Sequence, residues 1–179
     1  MTAHKPDPDL RTPYPWTAAA PGFGFTSGTP WEPFADGAAT ANLATESEDL
    51  TSVWSTYRDL VQLRAQHPAL RAGEFVRLRS SSRQVAAWLR VFGDQRILVM
   101  HNLGADPAAA VALDLAEGPL CGGPTPLYLY AASTEELAEP TAPVVTSTGG
   151  LDGYVPLPVL PGRASVVIEL AETLESGRP

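Results

Sequence analysis

Residues 5–34 read KPDPDLRTPYPWTAAAPGFGFTSGTPWEPF, and everything downstream is interpreted from this stretch. It holds seven of the chain's eighteen prolines together with Tyr14, Trp16, Phe23, Phe25, Trp31 and Phe34. Proline removes a backbone donor and fixes φ, so no helical or strand period survives at that density, and the segment is expected to be a long irregular loop. Structureless loops of this length are usually either functional or disordered. Disordered segments are poor in aromatics, so this one is expected to pack, on a surface lying largely outside these 179 residues.

Working outward, residues 35–44 are small and polar and read as a connector. Thr45-Glu46-Ser47-Glu48 fits a capping box, in which the hydroxyl accepts from the third backbone N–H and the glutamate reaches back. The acids Glu46, Glu48 and Asp49 also suit the positive end of a helix dipole. Leu50, Val53, Trp54, Tyr57, Leu60, Val61 and Leu63 recur mostly at steps of three and four, predicting an amphipathic helix of roughly five turns. Pro68 ends it by disfavouring helical geometry at His67. The apolar stripe is too wide for a solvated helix and demands a larger body to pack on, with Trp54 in the core.

From Gly73 the texture changes to short strands and turns. Residues 75–79 form a first strand. In residues 84–91 Val85, Ala87, Leu89 and Val91 share one face, while Gln84, Trp88 and Arg90 share the other. Gly93-Asp94 makes a turn, and residues 96–103, RILVMHNL, follow as a continuous apolar strand expected at the centre of a sheet. Val111, Leu113 and Leu115 alternate with Ala112 and Asp114. Residues 127–130, 154–159 and 165–170 bring the count to about seven strands, which predicts a mostly β chain built as an antiparallel β-sandwich. Residues 119–150 read as a long Pro/Gly/Thr-rich loop interrupting it.

Three motifs in register carry a family resemblance. Arg11-Thr12-Pro13-Tyr14-Pro15-Trp16 resembles the R-T-P-M-Q-W segment of the α-amylase superfamily, glycoside hydrolase family 13, with Tyr14 and Pro15 replacing Met and Gln. Lys5-Pro6-Asp7 before it resembles K-P-D. Gly24-Phe25-Thr26-Ser27-Gly28-Thr29-Pro30-Trp31 after it resembles G-F-T-T-G-x-P-W, in the branch of oligo-1,6-glucosidases, α-glucosidases and trehalose synthases. Further on, Tyr57-Arg58-Asp59-Leu60-Val61-Gln62-Leu63-Arg64 and His67-Pro68-Ala69-Leu70-Arg71 are similar to that branch's last barrel helix, Y-R-x-L-I-x-L-R-x-x-x-P-A-L-R. The resemblance implies a barrel-end loop over residues 1–45, the last helix of a (β/α)8 barrel over 46–72, a β-sandwich domain C over 73–171 and a flexible tail over 172–179. It also implies a chain corresponding to the C-terminal portion of such an enzyme, beginning near the family's G-M-T-G-x-K-P-D stretch.

Retaining glycoside hydrolysis needs two carboxylates about 5 Å apart flanking the scissile bond, one protonated and one ionised. In the family these acids lie in signatures such as G-F-R-x-D and N-H-D, and neither signature occurs here. No catalytic residue is therefore assigned, and the isolated chain is expected to be inactive. Asp7 and Asp9 read as solvated loop acids rather than as a catalytic pair. The resemblance puts Asp9 and Arg11 on the rim of the substrate cleft, where Arg11 meets a sugar hydroxyl or else bonds loop carbonyls. Trp16 and Trp31 are substrate-binding candidates that either stack on sugar rings or pack the loop onto the barrel. The implied partners are an α-glucan or oligosaccharide, met through the parent enzyme, and the missing barrel domain. Two other readings stay open: a non-catalytic glucan- or partner-binding β-sandwich module, and one half of a split enzyme.

The remaining composition narrows the classes. A net charge of −8 and a single lysine, Lys5, argue against nucleic acid or an anionic membrane as partner. Cys121 is the only cysteine, so no internal disulfide forms. His4, His67 and His101 share no ligand spacing, and no metal or cofactor is expected. Gly22, Gly24 and Gly28 fit neither a dinucleotide fingerprint nor a phosphate loop. The opening residues Met1-Thr2-Ala3-His4-Lys5-Pro6 lack an apolar signal region, so if Met1 is the native start a cytoplasmic location follows.

Overall fold

The computed structural model of the protein describes residues 11–133 and 135–171. The Lys5-Pro6-Asp7 motif, Asp9 and the tail 172–179 lie outside the described residues. The chain divides into two compact units, Met1–Gln62 and Leu63–Pro179.

In the first unit the sequence pattern gives two helical elements rather than one. The helix α1 covers Leu43–Glu48 and α2 begins at Val53, running to Gln66. The expected cap at Thr45 is instead at Asn42, whose Oδ1 accepts from the Thr45 backbone N–H at 3.1 Å. Asparagine is among the strongest N-caps, and here it outcompetes a threonine three residues later. A second cap follows at Ser52, whose Oγ accepts from the Ser55 N–H at 3.0 Å and donates to the Glu46 carbonyl at 2.7 Å. Between the two helices Asp49 Oδ1 accepts from the backbone N–H and hydroxyl of Thr51 at 2.8 and 2.7 Å, which holds the Asp49 carboxyl below its ordinary range. Along α2 and its approach, the stripe of Leu50, Val53, Tyr57, Leu60 and Val61 is exposed, Val53 at 81%. Trp54, expected in the core, is only partly buried, with the Arg58 guanidinium 5.0 Å above its ring.

The second unit is β-rich and antiparallel throughout its described strands. A short helix α3, Pro68–Ala72, leads into β1 (Glu74–Arg77) and β2 (Arg79–Ser80). There follow β3 (Val85–Phe92), β4 (Gln95–Asn102), β5 (Ala108–Ala109), β6 (Leu113–Leu115), β7 (Thr125–Ala132), β8 (Leu151–Tyr154), β9 (Val159–Leu160) and β10 (Ser165–Ala171). They form a five-stranded sheet in the order β1-β3-β4-β10-β7, a three-stranded sheet β2-β6-β8 and a pair β5-β9. The described residues hold ten short strands in place of the expected seven because two predicted runs are each cut and Ala108–Ala109 adds a strand that no predicted run covered. The run 75–79 is broken at Leu78, where the chain leaves one sheet for another. The run 154–159 is interrupted by Pro156 and Pro158, which cannot donate to a ladder, so β8 stops at Tyr154 and β9 starts at Val159.

β4 is the middle strand, as its unbroken apolar run implies, because both of its faces are covered. Leu98 and Met100 join Leu89, Val166, Ile168 and Leu170 in the larger core, while Ile97 and Val99 join Val167 and Ala69 in a smaller cluster on the opposite face. Each fully buried aliphatic side chain contributes on the order of 1.5–3 kcal/mol. The β3–β4 hairpin closes through Gly93-Asp94 with Phe92 opposite Gln95, and Gly93 at φ 54° takes the left-handed conformation such a two-residue loop needs. The smaller cluster is covered by α3, and polar groups hold that helix in place. Gln95 Oε1 accepts from the Ala69 N–H at 3.0 Å, Arg90 Nε donates to the Ala69 carbonyl at 3.1 Å, and Arg64 Nη1 donates to the Leu70 carbonyl at 2.6 Å. Gln95 Nε2 reaches Glu169 at 2.9 Å and His67 Nδ1 at 2.9 Å.

Candidate functional site

The sequence-predicted site residues that are described, Arg11, Trp16 and Trp31, all belong to the first unit. Their segment is irregular, as the prolines require, but it is closely hydrogen-bonded. The N–H groups of Trp16 and Thr17 both donate to the Phe23 carbonyl, at 2.8 and 3.1 Å, and Phe23 N–H returns to Ala19 O at 2.8 Å. A tight turn follows in which Phe25 N–H bonds Gly22 O at 2.8 Å. Gly22 is buried, and a Cβ there would sit 1.7 Å from the Thr26 carbonyl oxygen, so no other residue fits this turn. The start of α1 clamps the motif from below, with Leu43 and Ala44 N–H donating to the carbonyls of Pro15 and Trp16 at 3.1 Å each.

Asn42 joins these pieces and was missed by the sequence reading. Only 2% exposed, it donates Nδ2 to the Ala39 carbonyl at 3.2 Å while its Oδ1 caps α1. The signal was available: an asparagine directly before an apolar residue, with a hydroxyl residue at the third helical position.

The aromatics fall into two groups. Phe34 sits edge-on to Phe23 at 4.8 Å and to Phe25 at 6.2 Å, forming the packed part of the loop. Tyr14 and Trp16 meet edge-to-face at 5.1 Å, and each is about half exposed. Trp31 is 78% exposed and makes no ring contact with Trp16 among the described residues. Arg11 is exposed as well. The structure thus brings Tyr14 and Trp16 together, while Trp31 makes no ring contact with them among the described residues and Arg11 is exposed in the same segment. Such a surface can stack and hydrogen-bond a neutral ring, but it holds no acid–base pair. Among the described residues no cluster of three or more His, Cys, Asp or Glu is placed to hold a metal.

In the second unit Asn102, the last residue of β4, satisfies neighbouring backbone groups. Its Nδ2 donates to the carbonyls of Asp106, Leu160 and Pro161 at 2.9–3.1 Å, and its Oδ1 accepts from Gly104 N–H at 3.0 Å. His101 bonds a side chain instead, its Nδ1 lying 2.6 Å from Ser165 Oγ, and burial lowers its pKa. Burial also raises the Tyr154 phenol far above its ordinary value, the hydroxyl donating to the Thr141 carbonyl at 2.6 Å.

Residues 1–73 match the model of the α-amylase catalytic domain. The chain is 32% identical over 99 residues to trehalose-6-phosphate hydrolase of Bacillus subtilis, covering 55% of this chain and 18% of that protein. It is 31% identical over 94 residues to oligo-1,6-glucosidase of Parageobacillus thermoglucosidasius, covering 52% of this chain and 16% of that enzyme. Its fold is similar to that of the Bacillus licheniformis trehalose-6-phosphate hydrolase, with a TM-score of 0.65 at 22% identity over 94% of this chain and 27% of that one. Through these matches the chain is similar to the α-amylase family of glycoside hydrolases. It spans less than a fifth of the length of these two curated relatives.

Proposed function

We propose that this chain supplies the C-terminal portion of an α-amylase-family glycoside hydrolase acting on α-glucosidic bonds. Residues 1–45 serve as the barrel-end loop, 46–72 as the last barrel helix and 73–171 as a domain C of sandwich type, with 172–179 as a tail. The observation that carries this reading is the solvent-facing stripe of Leu50, Val53, Tyr57, Leu60 and Val61. It falls inside the segment that matches a catalytic domain. An apolar helical stripe left in water marks a surface meant for a partner, and a barrel is the partner that the matching segment calls for. Arg11, Trp16 and Trp31, with Asp9, then line the rim of the cleft and contact an α-glucan or oligosaccharide there.

On this reading the chain alone hydrolyses nothing, because the acid–base pair resides on the barrel. Incubating the pure 179-residue protein with p-nitrophenyl α-glucoside should release no nitrophenol, and turnover would overturn the proposal. Pull-down from source cells should retain a larger polypeptide bearing the barrel if the enzyme is split.

The half-exposed Tyr14–Trp16 pair and the exposed Trp31 favour one second reading, a non-catalytic glucan-binding module. Retention on immobilised starch that Trp31→Ala abolishes would select it.

A further inference from the structure

The second unit carries a groove that the reading above does not use, outside the segment matched to the catalytic domain. Its floor is the β1–β3 ladder, in which Phe75 lies opposite Arg90 and Arg77 opposite Trp88. Directly opposed residues of an antiparallel pair share a face, so Phe75, Arg77 and Trp88 stand on one side of the sheet. Phe75 and Trp88 form a tilted pair at 5.6 Å, and Phe75 is more than half exposed. Arg79 and Arg83 complete the lining with the hydroxyl residues Ser80 and Ser82, and no Asp or Glu lines the groove. In a chain carrying 20 acids against 12 basic residues, three arginines lining one groove are a local concentration of positive charge, which Asp114 offsets at Arg79 alone among the described residues. Arg79 is paired to Asp114 at 3.4 Å. The side chains of Arg77 and Arg83 make no hydrogen bond or ion pair among the described residues.

We propose that this groove binds an anionic saccharide, its oxyanion held by Arg77 and Arg83 and the C–H face of its ring laid on Phe75. Guanidinium forks match carboxylate and phosphate oxygens in bidentate geometry. Arginine alone would suit any polyanion; the adjoining flat apolar ring and the serine hydroxyls select a sugar over an acidic peptide, whose extended backbone presents no comparable face.

Titration calorimetry on the full 179-residue protein tests this with trigalacturonate and glucose 6-phosphate as probes. Neutral maltotriose and hexaglutamate are the controls. At least one anionic sugar should bind, the carboxylate and phosphate probes telling which oxyanion fits, and binding should weaken as salt is raised. The double variant Arg77→Gln, Arg83→Gln should weaken binding about tenfold or more. Phe75→Ala should weaken it without altering the salt dependence, and Arg71→Gln should leave it unchanged. Absence of binding to both anionic sugars up to about 10 mM overturns the proposal. So does equal binding of maltotriose or hexaglutamate, or binding indifferent to salt. Should the double variant fail to fold, the salt series and Phe75→Ala decide alone.

Discussion

Asn102 shows how one side chain closes several backbone accounts at once. It is 2% exposed and bridges the end of β4 to the carbonyls of Asp106, Leu160 and Pro161. Asn102→Ala strands those acceptors in a buried site, and each unsatisfied buried group costs about 1–3 kcal/mol. A urea midpoint lowered by that order, with an unchanged slope, is the expected result. Its neighbour His101 sets a pH dependence. Burial depresses its folded pKa below the ordinary 6.5, so between the two values the unfolded chain binds more protons than the folded one. This contribution is complete above about pH 6.5 and is lost as pH falls through and below it. Urea midpoints measured from pH 7.5 down to 5 should therefore fall, and His101→Gln should flatten that part of the curve. A midpoint insensitive to the substitution at both ends would refute the assignment.

Elements were legible where one rule acted alone. The β3 alternation of Val85, Ala87 and Leu89 and the apolar run of β4 were read correctly because burial on a sheet is the dominant force in both. The helical region was read less well. Its period was clear, but Asn42 and Ser52 divide it into two capped helices, and competition between neighbouring caps is invisible to a spacing count. The break at Leu78 was likewise hidden, since Leu78 is apolar and buried and the run 75–79 shows no proline or glycine. In the candidate site the aromatics and Arg11 were named from sequence, whereas the cap signal at Asn42 was passed over for Thr45 and the Gly22 turn emerged from geometry. Asn42→Ala removes both the α1 cap and the tie to Ala39, so a loss of about 1–2 kcal/mol is expected on thermal or urea unfolding. Gly22→Ala drives a methyl into the Thr26 carbonyl and should change the near-ultraviolet signal of the neighbouring aromatics. An unaltered spectrum would mean that the turn tolerates a side chain.

For the whole molecule, the property that the proposed reading turns on is the exposed apolar stripe of Leu50, Val53, Tyr57, Leu60 and Val61. Val53→Glu and Val61→Gln touch exposed positions, so they should shift the stability of the isolated chain by no more than about 0.5 kcal/mol. In the presence of a complementing barrel the same changes should abolish co-purification and any restored glucosidase activity. A large loss of stability in the chain alone would show instead that α2 buries its stripe within this polypeptide. The family followed from motifs in register, but the ligand of the arginine groove did not, because Arg77, Arg79 and Arg83 converge only once β1, β2 and the turn before β3 are folded.

The position of β10 has a temporal consequence. Residues 165–171 come after every other described strand in chain order, yet they lie between β4 and β7, with Val167 opposite Val99 on one side and Tyr130 on the other. Until that segment leaves the ribosome, the five-stranded sheet remains two unjoined pieces, each with an open edge able to template wrong pairing. Synthesis and folding of this module are thus out of step: the sheet closes only once β10 has emerged, and a chain stalled before Ser165 should be a substrate for chaperones rather than a folded intermediate.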